Sequence, residues 1–186
     1  MNRKSFNRVH VMTAILSAAL LALGVSPARA AEQNGSTVDK TYLLEKEPKE
    51  AADVAAVRKD AKDRDDVVVV GRVGGRKSPW VKGAAAFSIV DRSLKPCSAL
   101  PGDTCPTPWD YCCEADLPKF TLLVLVQDAD AKLIKKDARE LLGLKELDTV
   151  YVQGKVKRDK SGNVSILASR FFVVDDTQEG QKEEAK

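Results

Sequence analysis

Four cysteines are the residues in this chain best suited to chemistry. Cys97, Cys105, Cys112 and Cys113 all fall within one 17-residue stretch, "CSALPGDTCPTPWDYCC", spaced C-x7-C-x6-C-C. Such a cluster can be cross-linked, hold a metal, or cycle between thiol and disulfide. Redox cycling is disfavoured because no C-x-x-C pair is present. A disulfide between Cys112 and Cys113 would be strained, since neighbouring α-carbons lie about 3.8 Å apart. That leaves Cys97–Cys112 with Cys105–Cys113, or Cys97–Cys113 with Cys105–Cys112. Either would staple a loop that Pro96, Pro101, Pro106, Pro108 and Pro118 keep irregular. Closing a loop of about 15 residues contributes about 3 kcal/mol in the chain-entropy picture. The alternative is a zinc site built from all four thiolates, with the adjacent ligands Cys112 and Cys113 making awkward tetrahedral geometry. Within the stretch, Trp109 and Tyr111 supply an apolar body, either packed on the domain or presented as a recognition patch.

The address favours the disulfide reading. "MNRKSFNRVH" is basic, "VMTAILSAALLALGV" is apolar, and Ala28 and Ala30 are spaced as an A-x-A cleavage site. This is the three-part pattern of a signal peptide over 1–30, and it predicts export to the periplasm or beyond, where disulfides persist. "NRKSFNR" also approaches a twin-arginine signal, with Lys4 where the second arginine would stand; an ordinary Sec signal is the simpler reading.

Cleavage after Ala30 changes the rest of the argument. The 30 basic residues of the full chain fall to 26, against 27 acidic ones. A near-neutral protein exerts no strong long-range pull on nucleic acid or anionic membrane. Cleavage also removes His10, the only histidine. That excludes Ser-His-Asp and Cys-His catalysis and histidine-bearing metal centres. No pair of carboxylates has a recognisable catalytic spacing, so the expectation is a protein that is not an enzyme.

The elements that must position these residues follow from hydrophobic periodicity. Residues 31–46 lack it and read as a flexible leader. Residues 47–65 read as a helical linker, with Ala51, Val54, Ala55 and Arg58 on one face and opposite charges four apart. "DVVVVGRVGG", "AAAFSIVDRS", "KFTLLVLVQD", "DTVYVQGKVKR" and "VSILASRFFVV" read as five strands, rich in β-branched residues and bounded by turns. Residues 129–144 read as a helix between the third and fourth, stopped by Gly143. The cysteine-rich segment 94–118 is an insertion between the second and third strands. Residues 175–186 read as an acidic disordered tail. "DADAK" at 128–132 is a turn rather than a calcium loop, because the sixth-position glycine is missing.

The order β-β-β-α-β-β over 66–174 resembles the OB-fold, an all-β, five-stranded Greek-key barrel with one helix. "VVVVGRVGG", "FSIVDRS" and "LDTVYVQGKVKRDKSGN" carry the likeness, and the chain is similar to small exported bacterial OB-fold proteins. The resemblance implies ligand binding through the face of the second and third strands and the loops joining strands 1–2 and 4–5. Those loops bring Arg76, Lys77, Trp80 and Lys82, and Lys157, Arg158 and Lys160. Basic loops with one indole suit a phosphate chain and one stacked base or sugar, although charged hairpin tips are also ordinary solvated turns. The expectation is thus an exported, non-catalytic binding or adaptor module for a protein, glycan or oligonucleotide. It has no membrane span after cleavage and no cofactor, zinc in the cysteine loop being the alternative.

Overall fold

The valine-rich strand that opens the barrel is paired along both of its edges. The computed structural model describes residues 38–174; the expected signal peptide and acidic tail lie outside them. In chain order the elements are β1 Ala52–Asp53, α1 Val54–Asp60, β2 Asp66–Val73, β3 Ala86–Val90, β4 Thr121–Val126, α2 Ala138–Leu142, β5 Thr149–Arg158 and β6 Val164–Val173. β2, β3 and β4 form an antiparallel meander, β4 runs parallel to β6, β6 is antiparallel to β5, and β5 returns to β2. The five long strands therefore close into an OB-like barrel, and closure removes the exposed edges that an open sheet would present. Among the described residues no helix is long and apolar enough to cross a membrane.

Alternation sets the two surfaces. On β5, Val150, Val152 and Val156 are buried, whereas Gln153, Lys155 and Lys157 are exposed. Phe87 of β3 and Phe171 of β6 are fully buried, with ring centroids 6.1 Å apart. Phe172 faces the other way and meets Tyr151 edge-on at 6.1 Å.

Three sequence expectations need correction. The helix predicted over 47–65 occupies only Val54–Asp60, and it is not a solvated linker. β3 meets β2 only at Arg72↔Val90 and Val73↔Ile89. The earlier part of β2 is thus left open on that side. β1 pairs there in parallel, Ala52↔Val69 and Asp53↔Val70. The helix that follows drives Val54 and Val57 into the core, at 0% and 2% exposure. Small side chains suit this plug because the space beside Gly71 is narrow; a Cβ there would lie 3.0 Å from Val54 Cγ2.

The helix expected over 129–144 shrinks to Ala138–Leu142. Asp137 caps it by accepting the Arg139 N–H at 2.9 Å, and Gly143 ends it at φ 73°. Residues 128–134 instead turn back on β4, with Gln127 bridged to Leu133. The described part of the leader, 38–46, is also ordered. Leu43 bridges Phe171 in parallel, the Leu44 N–H donates to Phe171 O at 2.6 Å, and Tyr42 and Leu43 pack on the core. A pairing this short leaves no periodicity for the sequence to reveal.

Asp91, which follows β3, anchors the plug. It is buried at 2% exposure and accepts the Ala55 N–H at 2.7 Å, the Ser93 N–H at 3.0 Å and the Ser93 hydroxyl at 2.7 Å. Burial pushes its pKa up, but these donors outweigh burial and hold it below the ordinary aspartate value of 3.8. A lowered folded pKa means stabilisation that is complete above the unfolded value and is lost as pH falls through the folded one. Asp91→Ala is expected to cost roughly 2 kcal/mol in urea unfolding at neutral pH, by orphaning the Ala55 N–H. The wild-type advantage over the variant should shrink as pH falls below 3.8; an advantage unchanged down to the acid transition would contradict this account.

Candidate functional site

The barrel brings two of the predicted basic loops to one cleft, but not all of their residues. A cleft of about 600 Å³ is lined by Arg76 from the β2–β3 loop, Lys157 from the end of β5, and Arg58 from α1. Its floor includes Thr121 and Leu123 of β4, and the hairpin residues Asp159 and Asn163 form part of its wall. Three cations thus face one carboxylate. That carboxylate is already occupied: Asp159 accepts the Ser161 N–H at 2.8 Å, the Asn163 N–H at 2.9 Å and the Asn163 amide at 2.7 Å. Hydrogen bonds from Asn163 hold its pKa down, so it stays ionised and committed to its own turn. Arg58 donates to Thr121 O at 2.8 Å, which fixes its guanidinium at the cleft wall. Burial, followed by the nearby charge of Arg158, lowers its pKa from the ordinary arginine value.

The other predicted ligand residues lie elsewhere or have other work. Trp80 does not offer a free face. Its ring packs on Phe87 at 5.9 Å, Arg139 lies 5.5 Å from its centroid, and its N–H donates to Glu146 Oε1 at 2.6 Å. Its expected role in stacking a base or sugar is therefore corrected to sealing the barrel over α2. Arg158 is likewise structural, donating to the carbonyls of Ala61 and Arg58 at the end of α1. Lys77, Lys82 and Lys160 are exposed, and none of them lines the cleft. Sequence reasoning misses Arg58 as a ligand residue, because only the tertiary fold carries a helix seven residues long to the mouth of a distant hairpin.

The cysteine insertion docks beside this cleft. Tyr111 is fully buried, at φ 56°, so it is an anchor and not a presented recognition residue. Burial raises its phenol pKa, the Arg72 guanidinium opposing, and its hydroxyl has no hydrogen-bond partner among the described residues. Arg72 also donates to the carbonyls of Arg92 and Leu94, 3.3 Å each, holding the start of the insertion. Trp109 is half-buried and donates its indole N–H to Lys77 O at 3.1 Å. Trp109 O accepts the Gly75 N–H at 2.7 Å. A Cβ on Gly74 would lie 2.6 Å from that same oxygen and 3.0 Å from Tyr111 Cε2. The glycine pair after β2 is thus the seat of the insertion, next to Arg76.

No disulfide joins the cysteines in this structure; all four are thiols. Cys97 sits on a single 3-10 turn, Cys97–Ala99, and is buried. A second turn, Pro108–Asp110, and the left-handed Tyr111 bring Cys112 back to it. Cys112 Sγ lies 3.7 Å from Cys97 Sγ and 3.9 Å from Cys105 Sγ. Burial pushes the Cys97 thiol up, and hydrogen bonds with Cys97 and then Cys105 hold the proton on Cys112. Asp110 has its carboxylate in the same cluster, whereas Cys113 is exposed and is not one of its members. Of the four cysteines expected to act together, three are gathered with Asp110 so that their ligand atoms lie within 4.8 Å of one another. No protein-family model matches this chain, and no curated protein matches it in sequence.

Proposed function

We propose that this protein is an exported, non-catalytic OB-like binding module that takes an acidic oligosaccharide in the cleft between α1, β4 and the β5–β6 hairpin. The observation that carries this reading is the convergence of Arg58, Arg76 and Lys157 on one cleft whose only carboxylate is consumed internally. Opposite charge recruits the ligand, and hydrogen bonds from guanidinium groups orient its carboxylates or sulfates. A glycan is favoured over an oligonucleotide because the cleft lining contains no aromatic ring, and single-strand binders rely on stacking platforms. The reading is non-catalytic because the only histidine, His10, falls in the segment read as a signal peptide.

The test is calorimetric titration with a sulfated oligosaccharide, a neutral one of equal length, and single-stranded DNA. The sulfated sugar should bind, more weakly as salt rises, and the neutral sugar should not. Arg76→Ala and Lys157→Ala should each weaken binding about tenfold, the cost of one charge-assisted hydrogen bond. Lys82→Ala should leave it unchanged. Equal affinity in the Arg76→Ala/Lys157→Ala double variant would exclude the cleft. Tighter binding of DNA than of the sulfated sugar would exclude the glycan.

A further inference from the structure

We propose that Cys97, Cys105 and Cys112, with Asp110, form a four-coordinate site for a zinc-like divalent metal. This goes beyond the cleft reading and does not depend on it. The sulfur spacing is the first ground. A tetrahedral ion bound to sulfur at about 2.3 Å holds its sulfurs about 3.8 Å apart. The two separations from Cys112, 3.7 and 3.9 Å, bracket that edge. The three sulfurs and a carboxylate oxygen of Asp110 all lie within 4.8 Å of one another.

Valence is the second ground. A disulfide pairs sulfurs one to one, yet Cys112 stands at similar distances from two of them. Two disulfides would also need Cys113 paired with Cys97 or Cys105, and its sulfur is not among the ligand atoms that lie within 4.8 Å of one another. Three sulfurs and one carboxylate oxygen within 4.8 Å of one another are within the span of a single metal's ligand shell.

The third ground is how the ligands are held. Asp110 Oδ1 accepts the Cys112 N–H at 2.9 Å, and Oδ2 accepts the Thr107 hydroxyl at 2.9 Å. Carboxylate ligands are commonly oriented by outer hydrogen bonds of this kind. The Cys97 end is fixed by burial, and the Cys112 end by Tyr111, whose ring fills the space against Gly74. Thiolates select a borderline or soft ion, and the carboxylate favours zinc over a purely sulfur-seeking copper(I). Binding displaces the thiol protons to solvent, so affinity should rise with pH.

The experiment uses the full chain, purified with its thiols kept reduced, and Co²⁺ as the probe. Tetrahedral Co²⁺ on thiolates should give intense visible bands and a sulfur-to-metal charge-transfer band, saturating at one equivalent and abolished by added Zn²⁺. Cys97→Ser and Cys112→Ser should lose the charge-transfer intensity. Asp110→Asn should keep it and weaken affinity at least about tenfold. Cys113→Ser should titrate like the wild type, and the circular dichroism of every variant should match that of the wild type, so that lost bands report a lost ligand and not a lost fold. A wild-type protein without these bands overturns the site. Loss in Cys113→Ser equal to that in Cys112→Ser also overturns it, in favour of four cysteine ligands. Protein recovered from its exporting host, with thiols protected, that holds two disulfides and no metal would overturn it as well.

Discussion

Phe171→Ala should cost about 3–5 kcal/mol in denaturant unfolding, a large share of the roughly 5–15 kcal/mol that holds a domain folded. Phe171 is fully buried, and its ring lies against Phe87, which in turn lies against Trp80. The three rings form a continuous line from the core to the α2 side of the barrel. Removing the Phe171 end of that line leaves a cavity that close-packed, β-branched neighbours cannot fill without moving backbone. The same residue pairs its backbone with Leu43 and accepts from Leu44. Loosening β6 should therefore also release residues 38–46. Hydrogen exchange at the Leu44 amide should accelerate in the variant more than exchange at the Val69 amide. A loss under about 1 kcal/mol, or exchange that rises equally at both amides, would show that this side of the barrel repacks freely.

Gly154→Ala should be the second most damaging single change, at about 3 kcal/mol. The β5–β6 ladder runs in register from Val150↔Val173 to Gln153↔Arg170, then shifts so that Gly154 faces Ala168. The shift presses the β6 backbone onto Gly154. A Cβ there would lie 2.8 Å from Ala168 Cα, and Leu167 O would be nearer still. Both obstacles are backbone, so no rotamer change relieves them, and overpacking of this kind typically costs about 1–3 kcal/mol or more. Because β5 and β6 also carry Lys157 and the hairpin wall of the cleft, the variant should lose the proposed oligosaccharide binding along with stability. Thermal unfolding of the variant within about one degree of wild type would mean the ladder can slide to admit the methyl group.

The two variants bear on how far the fold is legible in the sequence. Alternation on β5 identifies Val150, Val152 and Val156 as core and Lys155 and Lys157 as surface, because a period of two follows from strand geometry alone. The β-rich order with a single helix between the third and fourth long strands is enough to suggest an OB-like barrel. The site is less legible. Lys157 and Arg76 are recognisable as loop cations, but the same reasoning assigns Trp80 and Arg158 to a ligand although the fold uses both internally. A residue's type states what it can do; its neighbours determine whether it is free to do it. Trp80 is engaged by Phe87, Arg139 and Glu146. The last two lie far along the chain, and no local pattern encodes those contacts.

Local periodicity determined where the five long strands run and which of their faces are apolar, and the motif "SGN" after Asp159 marked the hairpin that ends at the cleft. The cysteine spacing determined that one loop holds all the sulfur chemistry. Tertiary structure decided the rest. It turned a predicted linker into a plug, because a half-paired β2 left a gap of the size that Val54 and Val57 fill. It carried Arg58 across to Arg76 and Lys157. It also gathered three of the four sulfurs with Asp110 and left Cys113 outside, because burying Tyr111 against Gly74 sets the direction in which the chain turns back. Each of these outcomes depends on contacts between residues tens of positions apart, which spacing along the chain does not specify.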